Sequence, residues 1–135
     1  MPGIWYERGL VMNHKRILMI DDENFNIQIM KEYLESKGYE FFSAKDGDEG
    51  IKKAIETNPN LVIVDLIMPK KDGFEVCEVL RKLPETSGTP IILMTGFEAE
   101  DLEMRSKFYG ADEVVRKPYV VEELIRKVKQ MLQTN

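Results

Sequence analysis

The 135-residue sequence has one cysteine, one histidine and no apolar run that approaches the length of a membrane span. Each scarcity excludes something. A lone thiol, Cys77, cannot close an internal disulfide, and its apolar neighbours Val76 and Val79 predict a buried thiol in a reducing compartment. Without a membrane-length segment there is no spanning helix to place. The N-terminus also lacks the basic-then-apolar layout of a signal peptide, so the expected location is the cytoplasm, with no membrane partner. Positive charge is outweighed too: 19 Lys and Arg stand against 24 Asp and Glu, a net charge of −5. A general nucleic-acid binder needs basic patches to meet phosphates, so no nucleic-acid partner is expected.

What is present points to one soluble domain. Apolar residues make up 43% and charged residues 32% of the chain, far from the composition of disordered proteins. Residues 1–14 read as an N-terminal extension, because "MPGIWYERGLVM" does not follow the pattern of what comes after; residues 15–135 read as the domain. Within it, β-rich runs at Arg16–Ile20, Glu40–Ala44, Leu61–Val64, Pro90–Thr95 and Glu113–Arg116 alternate with amphipathic stretches. The latter predict helices over Asn24–Lys37, Asp48–Thr57, Gly73–Lys82, Ala99–Tyr109 and Val120–Leu132. Breakers sit between them at Gly38, Asn58-Pro59, Pro84, Gly88 and Gly110. Five βα units in a row imply an α/β fold, a doubly wound parallel sheet with helices on both faces. The first, third and fourth strands are the most continuously apolar and therefore the most central.

In an open parallel sheet, functional groups gather beyond the carboxyl ends of the strands. Here those ends carry Asp21-Asp22-Glu23, Asp65, Thr95-Gly96 and Lys117-Pro118. Any one of them is ordinary, since a lone Asp after a strand is usually a cap or turn residue and a lone Lys a solvated one. Three acids, a hydroxyl and a cation ending neighbouring strands are harder to explain that way. Clustered carboxylates repel one another unless a cation sits among them, and oxygen ligands at an open edge favour Mg²⁺. A carboxylate beside Mg²⁺ can serve as a nucleophile toward phosphorus, with the metal, a Lys and a hydroxyl stabilising the transferring phosphoryl group.

The motifs "MIDDE" (19–23), "VDLIMPKKDG" (64–73), "LMTG" (93–96) and "GADEVVRKP" (110–118) resemble those of the receiver domains of two-component response regulators, over residues 15–133. The resemblance implies a three-layer αβα, flavodoxin-like sheet in the order 2-1-3-4-5, with the first and last helices on one face. It implies that Asp65 accepts a phosphoryl group from a histidine kinase or a histidine phosphotransfer protein. Mg²⁺ would be held by Asp22 directly, by Asp21 through a water, by Asp65 and by the backbone carbonyl of Ile67. Thr95 would hydrogen-bond a phosphoryl oxygen, and Lys117, aimed inward by a cis bond to Pro118, would pair with Asp65 before phosphorylation and with the phosphoryl group after it. A stand-alone receiver, monomeric or weakly dimeric, acting as a phosphorylation switch or relay on a downstream protein, is the expected function, because no output module fits in the remaining chain.

The alternative is a Mg²⁺-dependent phosphohydrolase working through an aspartyl phosphate. It normally needs a second carboxylate two residues after the nucleophile. That position is Ile67. A pseudo-receiver is disfavoured because every chemical position is filled. One departure from the receiver pattern is Val114, where most members carry Tyr or Phe. Ile67 and Phe97 are expected to shield the acceptor from water, while Gly96 leaves an opening. Asp65 is expected at a solvent-facing edge. On the first helix Ile27, Met30 and Leu34 form a core stripe, and Phe25, Ile29 and Tyr33 a second row that is either buried or a docking surface. His14, the Lys52-Lys53 pair and the eight Met residues read as solvated residues and core filler, and Asp72-Gly73 as a turn and helix start.

Overall fold

The computed structural model describes residues 14–96, 98 and 100–133, and the expected extension lies almost wholly outside them. The described residues form β1 (Arg16–Ile20), α1 (Asn24–Ser36), β2 (Glu40–Ala44), α2 (Gly47–Thr57), β3 (Leu61–Asp65), α3 (Gly73–Lys82), β4 (Ile91–Thr95), α4 (Leu102–Tyr109), β5 (Glu113–Arg116) and α5 (Val121–Gln133). The strands make one sheet in the order β2-β1-β3-β4-β5, every neighbouring pair parallel. The apolar strands are the central ones, as their composition requires.

Alternate residues of the central strands face opposite layers, as the two-residue period of a strand dictates. Ile17, Met19, Ile63, Ile92 and Met94 pack against Ile27, Met30 and Leu34 of α1 and Leu124, Ile125 and Val128 of α5. Leu18, Ile20, Val62, Val64 and Leu93 pack against Ala54 of α2, Val76, Cys77 and Leu80 of α3 and Leu102 of α4. The first and last helices thus share a face. Each fully buried aliphatic side chain contributes roughly 1.5–3 kcal/mol relative to exposure, so this two-sided core holds the strand ends in register. At Gly50 the helix approaches β1 so closely that a Cβ would lie 2.5 Å from Ile20 Cδ1.

Local chemistry sets the element ends. Asp46 caps α2, its side chain accepting from Glu49 N, and Asn58 closes that helix at φ 49°. Asp72 and Glu75 form a reciprocal capping box at the start of α3. Most boundaries agree with expectation to within one residue, and one moves further. Pro90 lies outside β4, and α4 begins at Leu102 rather than Ala99, because Leu102 is the residue that enters the core. At the amino end of the sheet, Arg81 of α3 ties two loops together: Nε donates to Gly110 O at 2.9 Å, Nη1 to Thr89 O at 2.6 Å and Nη2 to Asp112 Oδ2 at 2.9 Å. Burial pushes the Cys77 thiol up to about 12, so it stays protonated and inert.

Candidate functional site

β1, β3 and β4 deliver their last residues to one edge. Asp21 directly follows β1, and its amide continues the ladder by donating to Ala44 O at 3.0 Å. It is fully buried, with Oδ1 accepting from Glu23 N at 2.9 Å and Oδ2 from Asn26 Nδ2 at 3.2 Å. Asp22 beside it is exposed. Asp65 is the last residue of β3, opposite Met94 of β4, and Thr95 is the buried last residue of β4. Carboxylate oxygens of Asp21, Asp22 and Asp65 all lie within 4.8 Å of one another.

The cation arrives from β5. Lys117 N donates to Thr95 O at 2.8 Å, extending the β4–β5 pairing past Arg116, and the Lys117–Pro118 bond is cis. Lys117 Nζ lies 3.2 Å from Asp65 Oδ1. Backbone register thus brings Lys117 to Asp65 and sets Thr95 one residue beyond Met94, the strand partner of Asp65.

Electrostatics follow burial. Desolvation raises the Asp65 pKa to about 6; Lys117 opposes the shift, and the negative charges of Asp21 and Asp22 reinforce it. Burial pulls Lys117 downward, but the charge and hydrogen bond of Asp65, with Asp21 behind it, outweigh that and leave its pKa raised. Asp65 is only 6% exposed, which corrects the expectation of a solvent-facing edge: the strand is buried to its final residue, and Leu66 and Met68 beyond it are buried as well.

The β3–α3 segment leaves this edge with Leu66 N donating to Met94 O at 2.8 Å, and Ile67 follows with its side chain 62% exposed. Phe97 lies outside the described residues. Among the described residues, the nearest atom to a Cβ placed on Gly96 is Lys117 Cβ at 3.8 Å. Val114 is half-buried and packs on the α2–α3–α4 side of the core. His14 is exposed, its Nδ1 2.7 Å from Gly38 O.

Sequence reasoning missed Asn26, Lys70 and Lys71. Asn26 binds both Asp21 and Glu23. Lys70 and Lys71 pair with Asp46 and Asp48 at the start of α2. Asn26 stands one helical turn after Glu23, a spacing that offers a faint signal; nothing local links 70 to 46.

An all-oxygen cluster with one carboxylate held against a lysine, at the carboxyl edge of a 2-1-3-4-5 sheet, is a site of defined type. Residues 17–129 match the response regulator receiver domain family, and the chain belongs to it. Among curated proteins, the transcriptional regulatory protein ResD of Bacillus subtilis is 37% identical over 120 residues, covering 89% of this chain and 49% of ResD. The alkaline phosphatase synthesis transcriptional regulatory protein PhoP of the same organism is 35% identical over 119 residues, covering 88% of this chain and 49% of PhoP. This chain spans about half the length of these relatives. Among solved structures, the CheY-like receiver domain protein from Methanospirillum hungatei superposes with a TM-score of 0.83 at 32% identity, covering 89% of this chain and 94% of that one. Chemotaxis response regulator CheY4 of Vibrio cholerae gives 0.83 at 28% identity, covering 89% and 100%. Receiver domains are phosphorylated by histidine kinases or phosphotransfer proteins.

Proposed function

We propose that Asp65 is the phosphoacceptor, that the donor is a phosphohistidine on a histidine kinase or histidine phosphotransfer protein, and that Asp21, Asp22, Asp65 and the Ile67 carbonyl hold Mg²⁺ during the transfer. The observation that carries this reading is the meeting of Lys117 Nζ with Asp65 Oδ1 at 3.2 Å beside two further carboxylates. The donor set suits the metal: all ligating atoms are oxygens, and one acid, Asp22, is exposed at the edge. Bound there, Mg²⁺ supplies charge neutralisation among the carboxylates and on the transferring oxygens.

One carboxylate oxygen of Asp65 attacks phosphorus. As the O–P bond forms the P–N bond breaks, its electron pair goes to the imidazole nitrogen, and the imidazole leaves after taking up a proton. Lys117 orients Asp65 beforehand and then follows the new negative charge onto a phosphoryl oxygen, while Thr95 Oγ1 donates to another. The phosphohydrolase alternative has no support at residue 67, whose isoleucine side chain can neither accept nor donate a proton. Action as a phosphorylation switch or relay on a downstream protein, a cytoplasmic location suited to the free thiol of Cys77, and a monomeric or weakly dimeric state belong to the same reading.

The test is labelling with acetyl phosphate and Mg²⁺ followed by intact-mass measurement. The wild type should gain one phosphoryl group, and Asp65→Asn should gain none while keeping its circular dichroism spectrum. An acyl phosphate on the Asp65→Asn variant sinks the assignment.

A further inference from the structure

The segment between β3 and α3 does more than connect them. Its ends are pinned: Leu66 N donates to Met94 O, and Gly73 N returns to Leu66 O at 2.8 Å. Between these points two consecutive lysines reach sideways to α2, Lys70 Nζ lying 3.3 Å from Asp46 Oδ2 and Lys71 Nζ 3.1 Å from Asp48 Oδ1. Lys70 holds a left-handed backbone, φ 70°, which a non-glycine residue adopts at a cost. Contact beneath the ion pairs is tight. A Cβ on Gly47, the first residue of α2, would fall 2.6 Å from Lys71 Cβ and 3.1 Å from Lys71 O, so only glycine lets the two chains approach this closely. Asp46 is itself fixed, since its Oδ1 accepts from Glu49 N at 2.8 Å while Oδ2 meets Lys70. The anchor is therefore a capped helix start, not a free side chain.

We propose that Lys70 and Lys71 are positioning residues: their pairs to Asp46 and Asp48 clamp the β3–α3 segment onto α2, order the backbone at Ile67, whose carbonyl is the metal ligand proposed above, and so raise affinity for Mg²⁺. The inference rests on the metal reading given above and adds to it residues that touch neither metal nor phosphoryl group. It also makes a claim of opposite sign to simple electrostatics. Removing a positive charge from the segment that follows Asp65 should, by charge alone, draw a divalent cation in more tightly. Loss of a clamp should weaken binding, because the carbonyl must then be ordered at the moment the metal binds.

The experiment uses the full chain labelled with ¹⁵N. Mg²⁺ affinity is read from backbone amide shifts, and clamping from hydrogen exchange at the Gly73 amide, in three proteins. These are the wild type, the Lys70→Gln/Lys71→Gln double variant, and a reversed pair, Lys71→Asp with Asp48→Lys, which keeps the net charge. The glutamine variant should exchange Gly73 faster and bind Mg²⁺ severalfold more weakly, and the reversed pair should restore both toward wild type. Unchanged Gly73 exchange overturns the clamp. Faster exchange with unchanged or tighter Mg²⁺ binding overturns the positioning role. A wild type that takes up no Mg²⁺ overturns the metal reading and the positioning role with it, and Gly73 exchange then reports on the loop alone.

Discussion

Asp65 is a carboxylate at the end of a strand whose other four residues are all apolar and buried, and its pKa of about 6 expresses what that placement costs. The sign follows from proton linkage. With the folded value above the ordinary 3.8, the native state holds a proton that the unfolded state has released, so stability falls as pH rises from about 3.8 through 6. Above that window the full penalty is present. A neutral side chain removes it, and since the value of about 6 already includes the attraction of Lys117, the gain is on the order of 2–3 kcal/mol. In metal-free buffer, Asp65→Asn should melt higher than wild type at pH 7 and nearly with it at pH 4. Thermal denaturation at the two pH values checks this, and equal differences at both would show that burial of charge is not the cause. Two other features mark what sequence could and could not reveal. The Asp72–Glu75 capping box follows the spacing of its motif, whereas Arg81 bonds mainly to backbone carbonyls, which any residue could have supplied.

Helix α1 shows how an element can be half legible. The stripe Ile27, Met30 and Leu34 is buried, as its spacing requires. The second row divides. Phe25 is 73% and Tyr33 40% exposed, while Ile29 between them is half-buried. A face of that width cannot fit wholly onto a sheet it shares with α5, so the row stays partly at the surface, starting at Phe25 near Asp21 and Asp22 and running along the helix away from them. Docking of a kinase's helical bundle would use it. Ile29→Lys should impair phosphotransfer from the cognate kinase while leaving acetyl phosphate labelling near wild type, with under about 1 kcal/mol lost from a half-buried site. Loss of both reactions in parallel would point to misfolding instead. The start of α4 was less legible: that helix buries only Leu102 and Ser106 among its eight residues, too sparse a stripe to fix where it begins.

At the scale of the whole molecule the two ends of the sheet have been given opposite tasks. The amino end is stitched by Arg81, with Asp112 Oδ2 accepting both from it and from Ile91 N. The carboxyl end gathers charges that do not balance: three acids against Lys117. Alternation of strands and helices made the architecture readable, and the strand ends made the cluster readable. The sideways contacts were not, because Lys70 and Lys71 reach back to Asp46 and Asp48, and Arg81 reaches forward to Gly110 and Asp112, across whole elements and at no regular period. Since both faces of one sheet form the core, a ligand at the carboxyl edge should stabilise the fold as a unit. At a Mg²⁺ concentration of 100 times its dissociation constant, binding to the native state alone adds about 2.7 kcal/mol. For a domain of this length that corresponds to a rise in Tm on the order of 10 °C. Asp22 is the exposed member of the cluster, so Asp22→Asn should barely change the metal-free Tm yet lose most of the rise. Calorimetry of both proteins with and without Mg²⁺ decides the point. A rise of the same size in the variant would mean that the cation acts elsewhere on this acidic surface and not among Asp21, Asp22 and Asp65.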